Sequence, residues 1–397
     1  MAINSKITDI LEAETGAKSY KAHKYSLDNE MRPTVDYGGE SNENIWKRTM
    51  ETTIYKAPID LSFLAHKLSA NEEQLFTYFL DGSRRVYKVD HQGYAASGTG
   101  SRMEIYPILA GQIGIGCCKR EDKKMKKEKF ITETVISVPD KADADGKNGF
   151  FPALAKKINN SSEDLQRLNL EIDTVLSYST RKDVKNDKEY EDRATARIQD
   201  RMIEKEKEMV STLVREEKLN QNNYLIKDGS LEYRPTKEDR KDKRKLIKFQ
   251  KNYAWVLGAS KSFNPSACLD INGKPNPGFI ANLPLYHRTP VACFSNPSIF
   301  GDMKFAVWYI RIRDQAKTRT PFDGIIKIEK MLTTDDENMY GMDSDLVDTL
   351  SALIINERNP VCYGADLRWA NHIYPMFLTE NFVKSRYIST DSFLQLF

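Results

Sequence analysis

The chain reads as an α/β protein, a mixed sheet flanked by helices, and three observations predict it. Residues 75–138 form a succession of apolar, alternating runs, the mark of strands. Residues 195–219 repeat apolar side chains at helical spacing. That helix leads directly into Tyr224-Leu225-Ile226-Lys227, a short apolar run that stops at Asp228-Gly229-Ser230. The same ending occurs once earlier, where Leu75–Leu80 runs into Asp81-Gly82-Ser83. Strands interleaved with helices give a sheet covered by helices.

Composition sets the bounds. The chain has 397 residues, 40% hydrophobic and 10% aromatic, enough for a sizeable core and incompatible with a disordered chain. A net charge of +3 does not mark a nucleic-acid binder, so local clusters must carry any such argument. Five cysteines without regular spacing argue against a disulfide framework or a zinc site and fit a reducing cytoplasm. The start, Met-Ala-Ile-Asn-Ser-Lys, is not a signal peptide, and no run of about 18 apolar residues predicts a membrane span.

Residues 1–70 read as an N-terminal extension, a docking segment with a helix over about 59–67. Residues 71–397 read as the main domain, with charged insertions near 119–129 and 140–195. After Asp81, Arg84-Arg85-Val86-Tyr87-Lys88-Val89 reads as the second strand of a hairpin, followed by a long Gly-bearing strand over 103–118 and another over 130–138. The six lysines and one arginine of 119–129 form a hairpin tip. Ser162 is a good N-cap for a helix over 162–177.

On the 195–219 helix, Ile198, Met202, Met209 and Leu213 share one face, and the position that completes it is Glu206. A carboxylate in an apolar stripe needs a cation, a donor or a metal. Glu204 and Glu208 point elsewhere. Residues 237–251 carry eight basic side chains against three acidic ones and read as a helix with a basic face. Tyr253–Ala259 is a strand that delivers Lys261 at its end. Further strands follow over 303–313, 325–328 and 361–364, with helices over 343–358 and after His372-Ile373-Tyr374-Pro375.

Two strands each ending in Asp-Gly-Ser bring two carboxylates towards one point. Such a pair repels unless a cation sits between, and a hard divalent ion is the usual one. Either motif alone also reads as an ordinary Asp-Gly turn.

This order of parts resembles the NurA nuclease family over residues 74 to the end: Asp-Gly-Ser strand, helix with an inward Glu, strand into Asp-Gly-Ser-Leu, strand into Ser-Lys-Ser, and a Tyr-Pro segment. The resemblance implies an RNase H-like core and a Mn2+- or Mg2+-dependent DNA nuclease. It further implies a dimer working with a HerA-type hexameric ATPase in DNA end processing or antiphage defence. Carried over residue by residue, Asp81, Glu206 and Asp228 are the metal carboxylates, with Glu204 the alternative on the helix. Lys261 is the strand-end base and Tyr374 the Tyr-Pro tyrosine. Where the family has a histidine eight residues later, this chain has Phe382, and His372 stands two residues before Tyr374. Arg84, Arg85, Arg240, Lys241, Arg244 and Lys248 would track the DNA backbone without reading sequence. The competing expectations are another RNase H-like nuclease, using Asp366 as a further acid, and an inactive nucleic-acid-binding subunit of the same fold.

Overall fold

A computed structural model describes residues 6–21, 23–28, 50–95, 103–143, 146, 148–181, 187–231, 243–268, 270, 274–294, 303–358 and 368–397. The described chain begins with α1 (Ile7–Thr15) and α2 (Ser62–Ala70). Three long antiparallel strands follow: β1 (Phe76–Ala95), β2 (Met103–Glu121) and β3 (Lys124–Pro139). Next come α3 (Phe150–Ser161), α4 (Glu163–Arg167), β4 (Thr174–Tyr178) and the long α5 (Asp187–Arg215). Then β5 (Tyr224–Asp228), α6 (Lys243–Asn252) and β6 (Val256–Ser260) lead to β7 (Phe305–Arg311) and β8 (Ile325–Met331). The chain closes with α7 (Ser344–Asn356), α8 (Tyr374–Lys384) and α9 (Thr390–Leu394).

These strands form one mixed sheet in the order β7-β8-β6-β5-β1-β2-β3-β4. Within it, β1 is antiparallel to β2 and parallel to β5, and β5 is parallel to β6. The three-strand meander therefore has two parallel strands beside its first strand, which makes the sheet mixed, as the sequence predicts.

Alternation along the strands sorts the sheet into two faces. Leu80 and Leu225 belong to one core cluster with Ile198, Met202, Met209 and Leu213 of α5. Phe79 and Ile226 belong to the other, with Val347 and Leu350 of α7 and Met376 of α8. A third cluster joins Ile7 and Leu11 of α1 to Leu154 and Ile158 of α3 and to Phe393 of α9.

Three local expectations are corrected. Asp81-Gly82-Ser83 is not a strand end or a turn. It lies inside β1, which pairs with β2 from Tyr78↔Lys119 to Ala95↔Met103, with one register shift between Lys88 and Asp90. The helix expected over 162–177 is capped by Ser162 but stops at Arg167, and Thr174–Tyr178 instead joins β3 as a parallel strand. The hairpin tip is tighter than expected: β2 and β3 meet across Asp122 and Lys123, both at positive φ of 51° and 60°. The strand expected over 361–364 and Asp366 lie outside the described residues.

Candidate functional site

Three parallel strands deliver the central side chains. The β1–β5 register runs through Leu80↔Lys227, so Asp81 and Asp228 follow one another across the sheet where β5 ends. β5 pairs with β6 through Asp228↔Ala259, and Lys261 comes directly after β6. Ligand sites of open α/β sheets lie at such carboxyl ends. Here β1 runs on, but its neighbour stops, which opens the sheet at Asp81.

The turn after Asp228 is held from two sides. Gly229 takes a φ of 82°, where a side chain would be strained. Gly258 has no room for a Cβ, which would lie 2.9 Å from the Gly229 carbonyl oxygen. From β8, Glu329 accepts from the Ser230 hydroxyl and the Leu231 amide, both at 2.7 Å.

Asp81 and Asp228 fall on the face covered by α8; Asp81 is buried and the Asp228 side chain is 14% exposed. Burial, and next the charge of Asp228, push the Asp81 carboxyl well above the ordinary carboxylate range. Burial works the same way on Asp228, but Lys261 and then His372 outweigh it and hold that carboxyl low. The Asp81 Oδ2 atom is buried without a hydrogen-bond partner.

Lys261 Nζ lies 2.8 Å from Asp228 Oδ2, 2.8 Å from Glu380 Oε2 and 3.0 Å from His372 Nε2. His372 Nε2 is also 2.8 Å from Glu380 Oε2, and its tautomer decides whether it donates to that carboxylate or accepts from the Lys261 ammonium. His372 Nδ1 is buried without a partner. Although burial opposes it, Asp228 and Glu380 keep Lys261 protonated above its ordinary range.

Glu206 is 3% exposed, on the α5 side of the sheet. Its Oε2 pairs with Lys227 Nζ at 2.9 Å, and a Cβ on Gly82 would lie 2.1 Å from its Oε1. Gly82 is therefore required for clearance beneath the glutamate, not for a turn. Burial raises the Glu206 carboxyl, against the pull of Lys227. Glu204 is exposed and pairs with Arg201 at 3.2 Å.

A cleft of about 1070 Å3 lies over these groups, with Asp81, Glu206, Lys227, Asp228 and Lys261 on its wall. Arg197, Lys207 and Arg368 line it too, as do Phe249 of α6 and Tyr253.

The other expected residues are placed differently. Arg84 engages Gln199 at 2.6 Å and Asp28 at 3.1 Å, and Arg85 lies over the Tyr387 ring at 5.1 Å; neither lines the cleft. Arg244 and Lys248 are exposed on α6. Arg240 and Lys241 lie outside the described residues. Tyr374 opens α8 with its ring 6.4 Å from Phe377, away from the cleft wall. Sequence reasoning missed Glu380, yet the signal that found Glu206 was present: Glu380 follows Met376 by four and precedes Val383 by three, both buried. It also missed Lys227 and Glu329, each an ionic residue inside a strand.

Among the described residues, no three His, Cys, Asp or Glu side chains converge on one point in metal-ligand geometry. Two carboxylates do converge, Asp81 and Asp228, with one buried oxygen left open. Hard oxygen donors of this kind suit Mg2+ or Mn2+, which commonly take one or two protein carboxylates, water and substrate phosphate. The residues present fit such an ion.

Fold and site together define a mixed α/β protein with a buried carboxylate–lysine centre at the end of its parallel strands. No protein-family model matches the chain, and no curated protein matches it. Among solved structures, it is similar to the NurA nuclease from Sulfolobus solfataricus, at 12% identity and a TM-score of 0.38, over 84% of this chain and 90% of that one. A likeness at that level does not assign a family or a site residue. No helix among the described residues is long and apolar enough to cross a membrane.

Proposed function

We propose that the chain is a divalent-metal-dependent nuclease that hydrolyses phosphodiester bonds in DNA. One observation carries this reading: Asp81 and Asp228 meet on adjacent parallel strands and leave a buried Asp81 oxygen without a hydrogen-bond partner. Like charges held so close demand a cation when both ionise. Asp81 and Asp228 would hold Mg2+ or Mn2+, with Glu206 behind them. When bound, that ion lowers the pKa of a water molecule and neutralises charge on the attacked phosphate.

The chain's own residues do the rest. Lys261, fixed by Asp228, Glu380 and His372, presents a permanent positive charge at the cleft floor, where charge develops on a phosphate in flight. Held from three sides, its ammonium does not have to reorganise as that charge appears. Arg197, Lys207 and Arg368 on the cleft wall bind backbone phosphates, and exposed Arg244 and Lys248 extend that track along α6. The motif order supports the finer reading: a homodimer in the cytoplasm, partnered by a HerA-type ATPase, in end processing or antiphage defence.

A second reading has its own observation. Both Asp228 and Glu206 are already neutralised by lysines, which suits an inactive nucleic-acid-binding subunit. Cleavage of linear and circular DNA, with Mn2+, Mg2+ or chelator, separates the two. Metal-dependent cleavage that disappears in Asp228→Ala is the expected result. DNA binding without cleavage under any metal, with the HerA-type partner present or absent, supports the second reading.

A further inference from the structure

We infer that the centre takes one divalent cation per chain rather than two, because the ammonium groups of Lys227 and Lys261 occupy the two places beside Asp228 where a second ion would sit. The inference rests on the nuclease reading and specifies its metal count.

Each ammonium lies in a cage a hard cation would suit. Lys227 Nζ has Glu206 Oε2 at 2.9 Å, the Asp228 carbonyl oxygen at 2.9 Å and the Ser230 carbonyl oxygen at 3.4 Å. Lys261 Nζ has one oxygen each from Asp228 and Glu380 and the His372 ring nitrogen. Carboxylates and carbonyls around one point are the donor set of a divalent ion. Here the distances are those of N–H···O bonds. Both lysines are at least nine-tenths buried, at 9% and 7% exposed, so neither swings away into water without leaving a buried carboxylate unpaired.

What remains is one opening. Among the buried side-chain atoms of the described residues that lack a partner, Asp81 Oδ2 is the one carboxylate oxygen. An ion there is held by Asp81 and Asp228, and Glu206 is left holding Lys227. In a two-metal site both ions clamp the attacking and leaving oxygens. In this centre fixed lysine charges take over half of that clamp.

The test counts Mn2+ bound per chain. Full-length protein is titrated by calorimetry and by Mn2+ electron paramagnetic resonance, alone and with a phosphorothioate oligonucleotide that resists cleavage. One ion per chain is expected. Asp81→Asn should weaken it by on the order of a hundredfold or more. Glu206→Gln, checked for folding by circular dichroism, should still bind one. Two ions in the unmodified protein, or loss of the ion in folded Glu206→Gln, overturns the inference while leaving a metal nuclease in place. No ion in any condition, with no cleavage, overturns the nuclease reading as well.

Discussion

Glu329 shows how much of the site depends on residues that never face the cleft. Burial alone would raise its carboxyl. Lys327 at 2.7 Å, with the Ser230 hydroxyl and the Leu231 amide, reverses that and lowers it. A carboxyl lowered in the folded state adds stability above its unfolded pKa, and that stability is lost as pH falls through the folded pKa. Glu329→Gln should therefore cost roughly 2–3 kcal/mol at pH 7, as for a charged hydrogen-bonding group. The loss should shrink below about pH 4, near the ordinary glutamate pKa, which urea unfolding across pH would read out. Gly82 acts by absence. Gly82→Ala places a methyl 2.1 Å from Glu206 Oε1, so the glutamate must move away from Lys227. A destabilisation of about 1–3 kcal/mol, measured by denaturant melt, is expected from such overpacking.

At the scale of elements, α8 and β2 fit through two missing side chains. A Cβ on Gly116 would lie 2.5 Å from Val383 Cγ2, and one on Gly114 would lie 2.8 Å from Val383 Cγ1. α8 therefore lies low over β2 and carries Glu380 to Lys261. Gly116→Val should lift that helix, lowering the thermal midpoint and, through Glu380, any metal-dependent cleavage together. An unchanged midpoint would mean α8 is not seated this way. Much of this level was legible in the chain. The two Asp-Gly-Ser strands, the α5 stripe with Glu206 and the Lys261 strand end were all visible as local patterns. What was not legible was non-local. β1 continues past Asp81 because β2 pairs with it over its whole length, and a glycine inside a strand looks like a turn from sequence alone. Thr174–Tyr178 is a strand because β3 offers an edge, which no local periodicity records.

On the scale of the whole molecule, the far edge of the sheet is fixed by a fully buried Arg288–Glu51 ion pair, joined by the partly exposed Asp348. Arg288 reaches Glu51 at 2.8 Å and Asp348 of α7 at 2.5 Å, and Glu51 also accepts from the Val291 amide at 2.7 Å. The segment around Glu51 is thereby tied to α7 and to the short strand His287–Arg288, which pairs with β7 through Arg288↔Ile310. Removing one partner leaves a buried charge, so Glu51→Gln should cost about 3–5 kcal/mol in chemical unfolding. The centre obeys the opposite logic. Burial and the Asp228 charge raise the Asp81 carboxyl, so at neutral pH folding must either take up a proton or bury a charge there, and a neutral amide in its place avoids both. Function and stability should separate at this residue. The most direct measurement is the rate of DNA cleavage in saturating Mn2+ by Asp81→Asn beside the unmodified protein, with the thermal midpoint of each recorded without metal. The account predicts a midpoint at or above that of the unmodified protein and a rate lower by on the order of a thousandfold. A folded variant that cleaves within tenfold of the unmodified protein would contradict the carboxylate centre proposed for this chain.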